Sequence, residues 1–462
     1  MLQLSLNLII KPLYVFGIDR GVQNAIGKEA YGIYFSLFSF SYLLQMLNDF
    51  GIQNFTSSTV AKHPHLVQKY FSNLFVFKLI LSSIYVVFTL LGAWLIGYAW
   101  QEIQLLILVM LIQIISSFLL FFRANIVALG DFKIDSFLSV LDRILLLLLG
   151  TTCLYFGFFQ MGNSAYWFVM IQITAFSTVA LIAFYLLQKK IGIVKLTYNP
   201  VFLKYLLKKG FAFALITFLM FLYTRTDAVL IERLLIDGKA EAGVFASAYR
   251  LLEAANSVML IFGTLLLPMF SGMVARKENI NDLLQLSMKI VLFISITASI
   301  LIFNFRQEIV NLLYHEANSY WADTMGILFL SYIPLAMSYV LGSLLTASGQ
   351  LKHYNILSFL GVIFSLSANF LLIPYYKAFG AAIVSVGTQS LIVAGLLYVN
   401  TKCYQLKVNW FLLLKITTFS LILFLLVQYT NHFTTIWYIK FFLLGSFALL
   451  LSFVMDFWKL KE

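Results

Sequence analysis

The chain has 462 residues, of which 61% are hydrophobic and only 11% charged, and its formal net charge is +12. Soluble domains carry about a quarter charged residues, so this balance excludes a soluble globular fold and predicts an all-α integral membrane protein. The cations are dispersed over short connections instead of lining one stripe, which argues for membrane topology and against nucleic-acid binding.

Apolar runs long enough to cross a hydrocarbon core of roughly 30 Å recur from end to end. In chain order the predicted spans fall at 2–18, 30–51, 72–98, 104–127, 136–158, 164–188, 210–236, 241–270, 284–305, 323–347, 354–374, 379–401, 409–429 and 433–456, about fourteen in all. The first is interrupted by Lys11 and Pro12. It lacks a basic leader and a small-residue cleavage site, so it reads as a retained helix. Pro12 and Pro334 are placed to kink the helices that hold them. The longest and most basic connection, Gln188 to Lys209, separates spans 6 and 7. Within it Val201 to Lys209 is expected to form a short amphipathic helix along the membrane face. No connection is large enough to be a soluble domain.

The pattern repeats. Gly27-Lys28-Glu29-Ala30-Tyr31-Gly32-Ile33-Tyr34 aligns without a gap on Gly238-Lys239-Ala240-Glu241-Ala242-Gly243-Val244-Phe245. Ala128-Leu129-Gly130-Asp131-Phe132-Lys133 matches Ala347-Ser348-Gly349-Gln350-Leu351-Lys352, and Leu138-Ser139-Val140-Leu141 matches Leu357-Ser358-Phe359-Leu360. All three are offset by about 210 to 220 residues, as two homologous halves require. Six spans is an even number, so both copies point the same way. The expected organisation is an N-lobe at 1–188, a basic linker at 189–209, a C-lobe at 210–401, and spans 13 and 14 with a short tail at 402–462.

Lys and Arg decide the orientation. With the N-terminus inside, the inner connections hold Lys62, Lys69, Arg123, Lys133, Lys189, Lys190, Lys195, Lys204, Lys208, Lys209, Arg276, Lys277, Lys352, Lys402, Lys407, Lys459 and Lys461. The other face has only Arg20, Lys28, Lys239, Arg306 and Lys377, with Arg233 near a helix end. Both termini are therefore expected in the cytoplasm.

The phrase Asn24-Ala25-Ile26-Gly27-Lys28-Glu29-Ala30-Tyr31-Gly32-Ile33-Tyr34 resembles the first extracytoplasmic loop of bacterial polysaccharide-biosynthesis flippases. Asp227-Ala228-Val229-Leu230-Ile231, followed by Ala242-Gly243-Val244-Phe245-Ala246-Ser247-Ala248-Tyr249-Arg250, resembles their signature across spans 7 and 8, with Phe245 in place of the family's tyrosine. Pro268 fits the same pattern. The resemblance extends over nearly the whole chain in span number, repeat plan and loop positions. It implies a MATE-like fold of the MOP exporter superfamily, with two parallel-repeat six-helix lobes and two C-terminal helices. It implies as cargo an oligosaccharide on a polyprenyl pyrophosphate, an O-antigen, capsule or exopolysaccharide repeat unit, moved to the outer leaflet of the bacterial inner membrane. It also implies a polar cavity between the lobes, open to the bilayer between spans 1 and 8, no cofactor, and a polysaccharide polymerase in the same pathway; a monomer is expected.

Ionisable residues inside spans cost roughly 2.5–3.5 kcal/mol each to insert, so they are the candidate site residues. Lys11, Arg143, Arg225 and Arg250 are candidates for the pyrophosphate and sugar cavity. Asp227, Glu232 and Glu253 are candidates for ion coupling or gating. Arg225 and Asp227 are two residues apart and point to different helix faces, whereas Glu232 shares the face of Arg225. Arg250 and Glu253 are spaced for a local ion pair. That pair, and Asp142 with a cation on a neighbouring helix, can equally be lobe-stabilising. Lys78, Lys289 and Lys415 are expected to snorkel to the cytoplasmic side. Asn48, Asp49 and Asn54 are expected to cap span 2, and Gln45, Gln113, Gln172 and Gln389 to bond neighbouring helices.

Cys153 and Cys403 are too few for a metal or disulfide framework, and His63 and His65 lack the helical spacing of a zinc pair. No Walker-type loop or nucleophile elbow occurs, so neither an ATPase nor a hydrolase is expected, and no catalytic residue or metal site is assigned. Two alternatives stay open. A MATE-type small-molecule antiporter would want net acidic charge in its cavity, and here cations equal or exceed acids. A membrane polymerase or ligase would want a large catalytic extracytoplasmic loop, which is absent from this pattern.

Overall fold

The computed structural model describes residues 10, 12–56, 66–160, 164–192, 197–404, 410–430, 436–455 and 457. Among them every regular element is helical. Six π-helical residues, Tyr14–Asp19, begin two residues after Pro12 and run into α1, Arg20–Leu43. Two short helices, α2 (Gln45–Asp49) and α3 (Ile52–Phe55), precede the long helices α4 (Leu66–Ile96), α5 (Trp100–Ala128), α6 (Phe132–Tyr155) and α7 (Ser164–Ile191). Then come α8 (Pro200–Leu234), α9 (Gly238–Ala275), α10 (Asn281–Asn304), α11 (Arg306–Leu313), α12 (Ser319–Leu330), α13 (Tyr332–Ala347), α14 (Leu351–Tyr404), α15 (Trp410–Thr430) and α16 (Trp437–Val454).

Ten of these segments are long and apolar enough to cross a membrane. Spans 11 and 12 count once because they run together in α14, and span 13 contributes a shorter apolar helix, Leu414–Thr430. α1, which holds most of span 2, is not among the ten, and most of span 1 lies outside the described residues. α1 leaves helical geometry at Gly27 (φ 80°, ψ 165°), so spans 1 and 2 meet at a single residue and not across a loop. α14 breaks in the same manner at Lys377 (φ 53°, ψ −133°), between spans 11 and 12. Span 10 is divided at Ser331 into α12 and α13, three residues before Pro334. Proline there lacks an N–H and clashes with the carbonyl one turn back, which is where the helix opens.

One expected element is absent as such. Val201 to Lys209 is not a separate amphipathic helix but the start of α8, which is 35 residues long, of which Gly210–Leu234 is the apolar span. Asn199 starts it by accepting the Phe202 N–H at 3.1 Å, with Pro200 at the first helical position, a combination that sets up continuous helix.

The chain divides into two compact units, Met1–Gly243 and Val244–Glu462. In the first, α1 packs on α5, α7 and α8, α5 on α7, α6 on α7, and α2 on α4. In the second, α13 and α12 pack on α14, and α10 packs on α13, α15 and α16. Each unit contains the same turn at equivalent places in the repeat. Gly130 (φ 86°) and Gly349 (φ 74°) each follow a helix end by two residues. In both, the glycine N–H bonds back three residues, to Val127 O and Thr346 O, and the next N–H bonds back five, to Ile126 O and Leu345 O. That is a Schellman ending, with glycine supplying the left-handed residue. The next helix then begins at Phe132 or Leu351.

Candidate functional site

Polar side chains inside the first unit gather around the irregular start of the chain. A π-helical segment widens the backbone ring, and such segments concentrate at functional sites. Here it places Asp19 in the interior, where Tyr31 donates a hydrogen bond to its carboxylate at 2.8 Å. Tyr34, one turn on from Tyr31, bonds with Gln172 of α7. Tyr14, the first π-helical residue, lies under the Arg143 guanidinium at 5.4 Å, and Phe176 of α7 flanks it at 5.9 Å. Arg143 is thereby held by two aromatic faces, about 3.8 Å from the Asp142 carboxylate beside it. Asp142 also accepts the backbone N–H of Arg143 at 2.8 Å, so the cation it meets here is its chain neighbour.

Arg225 is buried on α8, its guanidinium 4.8 Å above the Tyr42 ring of α1, which also packs edge-on against Phe221. Asp227 is only 1% exposed. Arg143, Arg225, Asp227 and Glu232 all belong to the first unit, and Arg250 and Glu253 to the second. Lys11 lies outside the described residues.

An ion cluster with two buried carboxylates closes the opposite end of α8 from its Lys-rich start. Arg233 donates to Glu102 Oε2 at 2.8 Å and sits 2.7 Å from Glu232 Oε2, so one guanidinium bridges two carboxylates. Lys239 contributes a second cation, 2.9 Å from Glu102 Oε1. Glu102 also accepts the Ala99 N–H at 3.0 Å, which fixes it at the first turn of α5. Tyr98 lies face-on beneath Arg233 at 3.7 Å, and burial, helped by Glu232, pushes its phenol up to about 12. Glu232, on the same helix face as Arg225, has Arg233 as its salt-bridge partner.

Beside this cluster the two copies of the repeated Gly-Lys motif meet. A Cβ on Gly32 would lie 1.9 Å from the Lys239 carbonyl oxygen, and one on Gly243 would lie 2.1 Å from the Lys28 carbonyl oxygen. The contact is reciprocal, each copy's second glycine resting on the carbonyl after the other copy's first glycine. Gln23 adds a side-chain bond to Gly243 O at 3.0 Å. Small residues allow such backbone approach between membrane helices, and nothing larger than hydrogen fits here.

A second polar network corrects three expectations. Lys78 does not snorkel; its side chain is fully buried, donating to Ser117 Oγ at 2.5 Å and to Asp49 Oδ1 at 3.3 Å. Asn48 and Asp49 therefore do not simply cap span 2. Asn48 accepts from Ser82 at 2.7 Å and donates to Gln113 O at 3.3 Å, an oxygen that Gln45 also reaches. The breaks at Leu44 and at Phe50, which is left-handed (φ 43°), turn this segment toward α4 and α5. The side chain of Asn54 lies outside the described residues. Lys415 is half-buried and donates to Met455 O at 2.9 Å, tying α15 to the end of α16.

In the second unit Arg250 and Glu253 form the ion pair their spacing allows, at 2.8 Å. On the same helix Asn256 donates to the Tyr339 hydroxyl at 3.0 Å, and the Tyr332 hydroxyl donates to Ala255 O at 2.9 Å.

The sequence pattern did not mark Asp19, Glu102 or the aromatic partners Tyr14 and Tyr42 as site residues, and it read Lys239 only as part of the repeat and of the loop charge. Glu102 and Asp19 lie just beyond the apolar runs used to delimit the spans, where a carboxylate reads as solvated.

A family model for polysaccharide biosynthesis protein matches residues 20–274. No curated protein matches the chain. Among solved structures, the lipid II flippase MurJ in an inward closed conformation superposes with a TM-score of 0.72 at 16% identity, covering 98% of this chain and 97% of that one. A multidrug resistance MATE family transporter of the MOP superfamily, inward-facing, superposes with a TM-score of 0.68 at 17% identity, covering 86% and 98%. A MOP superfamily transporter from Pyrococcus furiosus gives a TM-score of 0.60 at 18% identity, covering 87% and 94%. At these identities the likeness establishes the fold: a MATE-like, multi-span membrane protein.

Proposed function

Because the chain belongs to the polysaccharide biosynthesis protein family, we propose that it is a flippase for polyprenyl-pyrophosphate-linked oligosaccharide and not an enzyme. The cargo is an O-antigen, capsule or exopolysaccharide repeat unit, carried from the cytoplasmic to the outer leaflet of the bacterial inner membrane. Both termini lie in the cytoplasm on this reading, and a polymerase consumes the delivered unit. The lipid II flippase among the structural neighbours moves a cargo of the same chemical kind, which favours lipid-linked transport over drug export.

The observation that carries the reading is the presentation of arginines from within the spans on aromatic faces: Arg143 on Tyr14 and Phe176, Arg225 on Tyr42. An aromatic face orients a guanidinium, whose planar fork matches phosphate oxygens. Arg143 and Arg225, with Lys11 and Arg250, then hold the pyrophosphate while the lipid tail stays in the bilayer. Asp227 and Glu253 supply the ion coupling. The crossing at Gly32 and Gly243, with the Glu102, Arg233, Glu232 and Lys239 cluster, seals the extracytoplasmic end while the site is loaded. The lobes then exchange access.

Proteoliposomes and a fluorescent polyprenyl-pyrophosphate oligosaccharide test this. Loss of a charge-assisted hydrogen bond worth about 1.5–3 kcal/mol should slow flipping by Arg225→Gln roughly 10- to 150-fold. Arg225→Lys should retain part of the rate, and both should keep the wild-type melting temperature. Full-rate flipping by a folded Arg225→Gln would remove Arg225 from the cargo site.

A further inference from the structure

We propose that the first turns of α8 form a binding surface for acidic phospholipid headgroups. The inference rests on the membrane-spanning fold and does not depend on the transport reading. Before the apolar span begins at Gly210, α8 already runs from Pro200, an extension of about 15 Å at the helical rise of 1.5 Å per residue. One face of this extension is used inside the protein. Phe202 stacks on Tyr70 at 5.0 Å and meets Phe55 edge-on at 5.9 Å, while Leu203 and Leu206 are buried.

The other face is exposed and has a mixed composition. Val201 is 79% exposed, Tyr205 52% and Phe211 55%, and Lys204 and Lys208 are exposed between them. These five recur at the three- and four-residue spacing of one helical stripe. A stripe facing bulk water has no reason to present Val, Tyr and Phe. A stripe facing hydrocarbon would not carry two lysines one turn apart. Both kinds together fit the headgroup layer, where aliphatic and aromatic parts lie against acyl chains and ammonium groups reach phosphates.

The surroundings add charge of the same sign. Gln68 on the first turn of α4 bonds Ile191 O at 3.2 Å, at the end of α7, and Tyr70 on the same turn stacks on Phe202. α4 thus brackets the Lys-bearing ends of α7 and α8. Lys189 is exposed there, its ammonium 4.6 Å over the Tyr185 ring. Lys190 pairs with Asp131 and is already satisfied. Lys204, Lys208 and Lys189 therefore face the leaflet with net positive charge, and the complementary occupant is a phospholipid bearing net negative charge. Zwitterionic lipid would leave that charge uncompensated.

The test uses the full-length purified protein in detergent, titrated with dioleoylphosphatidylglycerol or dioleoylphosphatidylcholine while melting temperature is followed. Phosphatidylglycerol should raise the melting temperature of the wild type, and phosphatidylcholine should not. Each lysine near an anionic surface is worth roughly a fivefold change in affinity, so the Lys204→Gln/Lys208→Gln double variant should need about 30-fold more phosphatidylglycerol for the same stabilisation. Its melting temperature in phosphatidylcholine should equal that of the wild type, and Lys204→Arg/Lys208→Arg should respond normally. In a second measurement, the fluorescence that Tyr205→Trp adds to that of the seven native tryptophans, taken as the difference from wild type, should be quenched by brominated phosphatidylglycerol at lower concentration than by brominated phosphatidylcholine. An unchanged phosphatidylglycerol response in the double glutamine variant, equal quenching by both lipids, or stabilisation by inorganic phosphate alone would each overturn the proposal.

Discussion

Replacing Gly243 by alanine tests the reciprocal crossing with the smallest available perturbation. In an ordinary helix interior that change stabilises by about 0.8–1 kcal/mol, because glycine has the poorer helix propensity. Here the new Cβ lies 2.1 Å from Lys28 O, 2.8 Å from Lys28 C and 3.0 Å from its Cα, all backbone atoms that no rotamer change can move. To reach an ordinary contact of 3.4 Å or more, the two backbones must separate. Overpacking of this kind typically costs about 1–3 kcal/mol, which converts to roughly a 5- to 150-fold loss in the population of the closed contact. Gly32→Ala meets Lys239 O at 1.9 Å and should act in the same direction. Since one separation relieves both clashes, the double variant should cost less than the two singles combined. The assay is labelling of Gln23→Cys by a membrane-impermeant maleimide, in a protein whose Cys153 and Cys403 have been replaced. Gln23 is buried against Gly243 O, so labelling should be slow in the parent and faster in both alanine variants by that factor. Gly272→Ala is the control, because its Cβ meets nothing closer than the Arg276 guanidinium at 3.8 Å. Unchanged labelling and melting temperature in Gly32→Ala and Gly243→Ala would refute the argument that this crossing is tightly closed.

Three further outcomes are expected. Asp49→Asn should destabilise by about 3–5 kcal/mol, since it strands the fully buried Lys78 ammonium, and Lys78→Met should cost less because Asp49 retains some access to water; thermal denaturation of the two variants checks the order. Glu102→Gln and Arg233→Gln should be coupled by roughly 0.5–3 kcal/mol in a double-mutant cycle of melting free energies, whereas Glu102 and the half-exposed Lys239 should couple by about 1 kcal/mol or less. Gly130→Ala and Gly349→Ala should each cost about 1–2 kcal/mol from the left-handed backbone alone, because neither Cβ meets an atom within 4 Å; unequal costs would mean that the two turns are not equivalent.

What the sequence could and could not disclose follows from the physics of each feature. The helical class was legible because a bilayer leaves the backbone no other way to satisfy its hydrogen bonds in single spans, and hydropathy measures that directly. The repeat was legible at Gly130 and Gly349 because a left-handed residue ending a helix selects glycine locally, whatever surrounds it. Gly32 and Gly243 also stood out in the alignment, but their reason is non-local: each exists for a carbonyl about two hundred residues away in the chain, which no window of sequence contains. The buried charges were harder still. Depth along a span can be counted from its ends, so Lys78 was read as near enough to the surface to snorkel. The direction a side chain takes depends on which neighbour offers a partner, and Asp49 reaches Lys78 only because the backbone breaks at Leu44 and Phe50. The same holds for Arg225 and Arg143. Their presence inside spans was plain from the order of residues, whereas the aromatic faces of Tyr42 and Tyr14, which orient them, come from other helices and depend on how the chain folds.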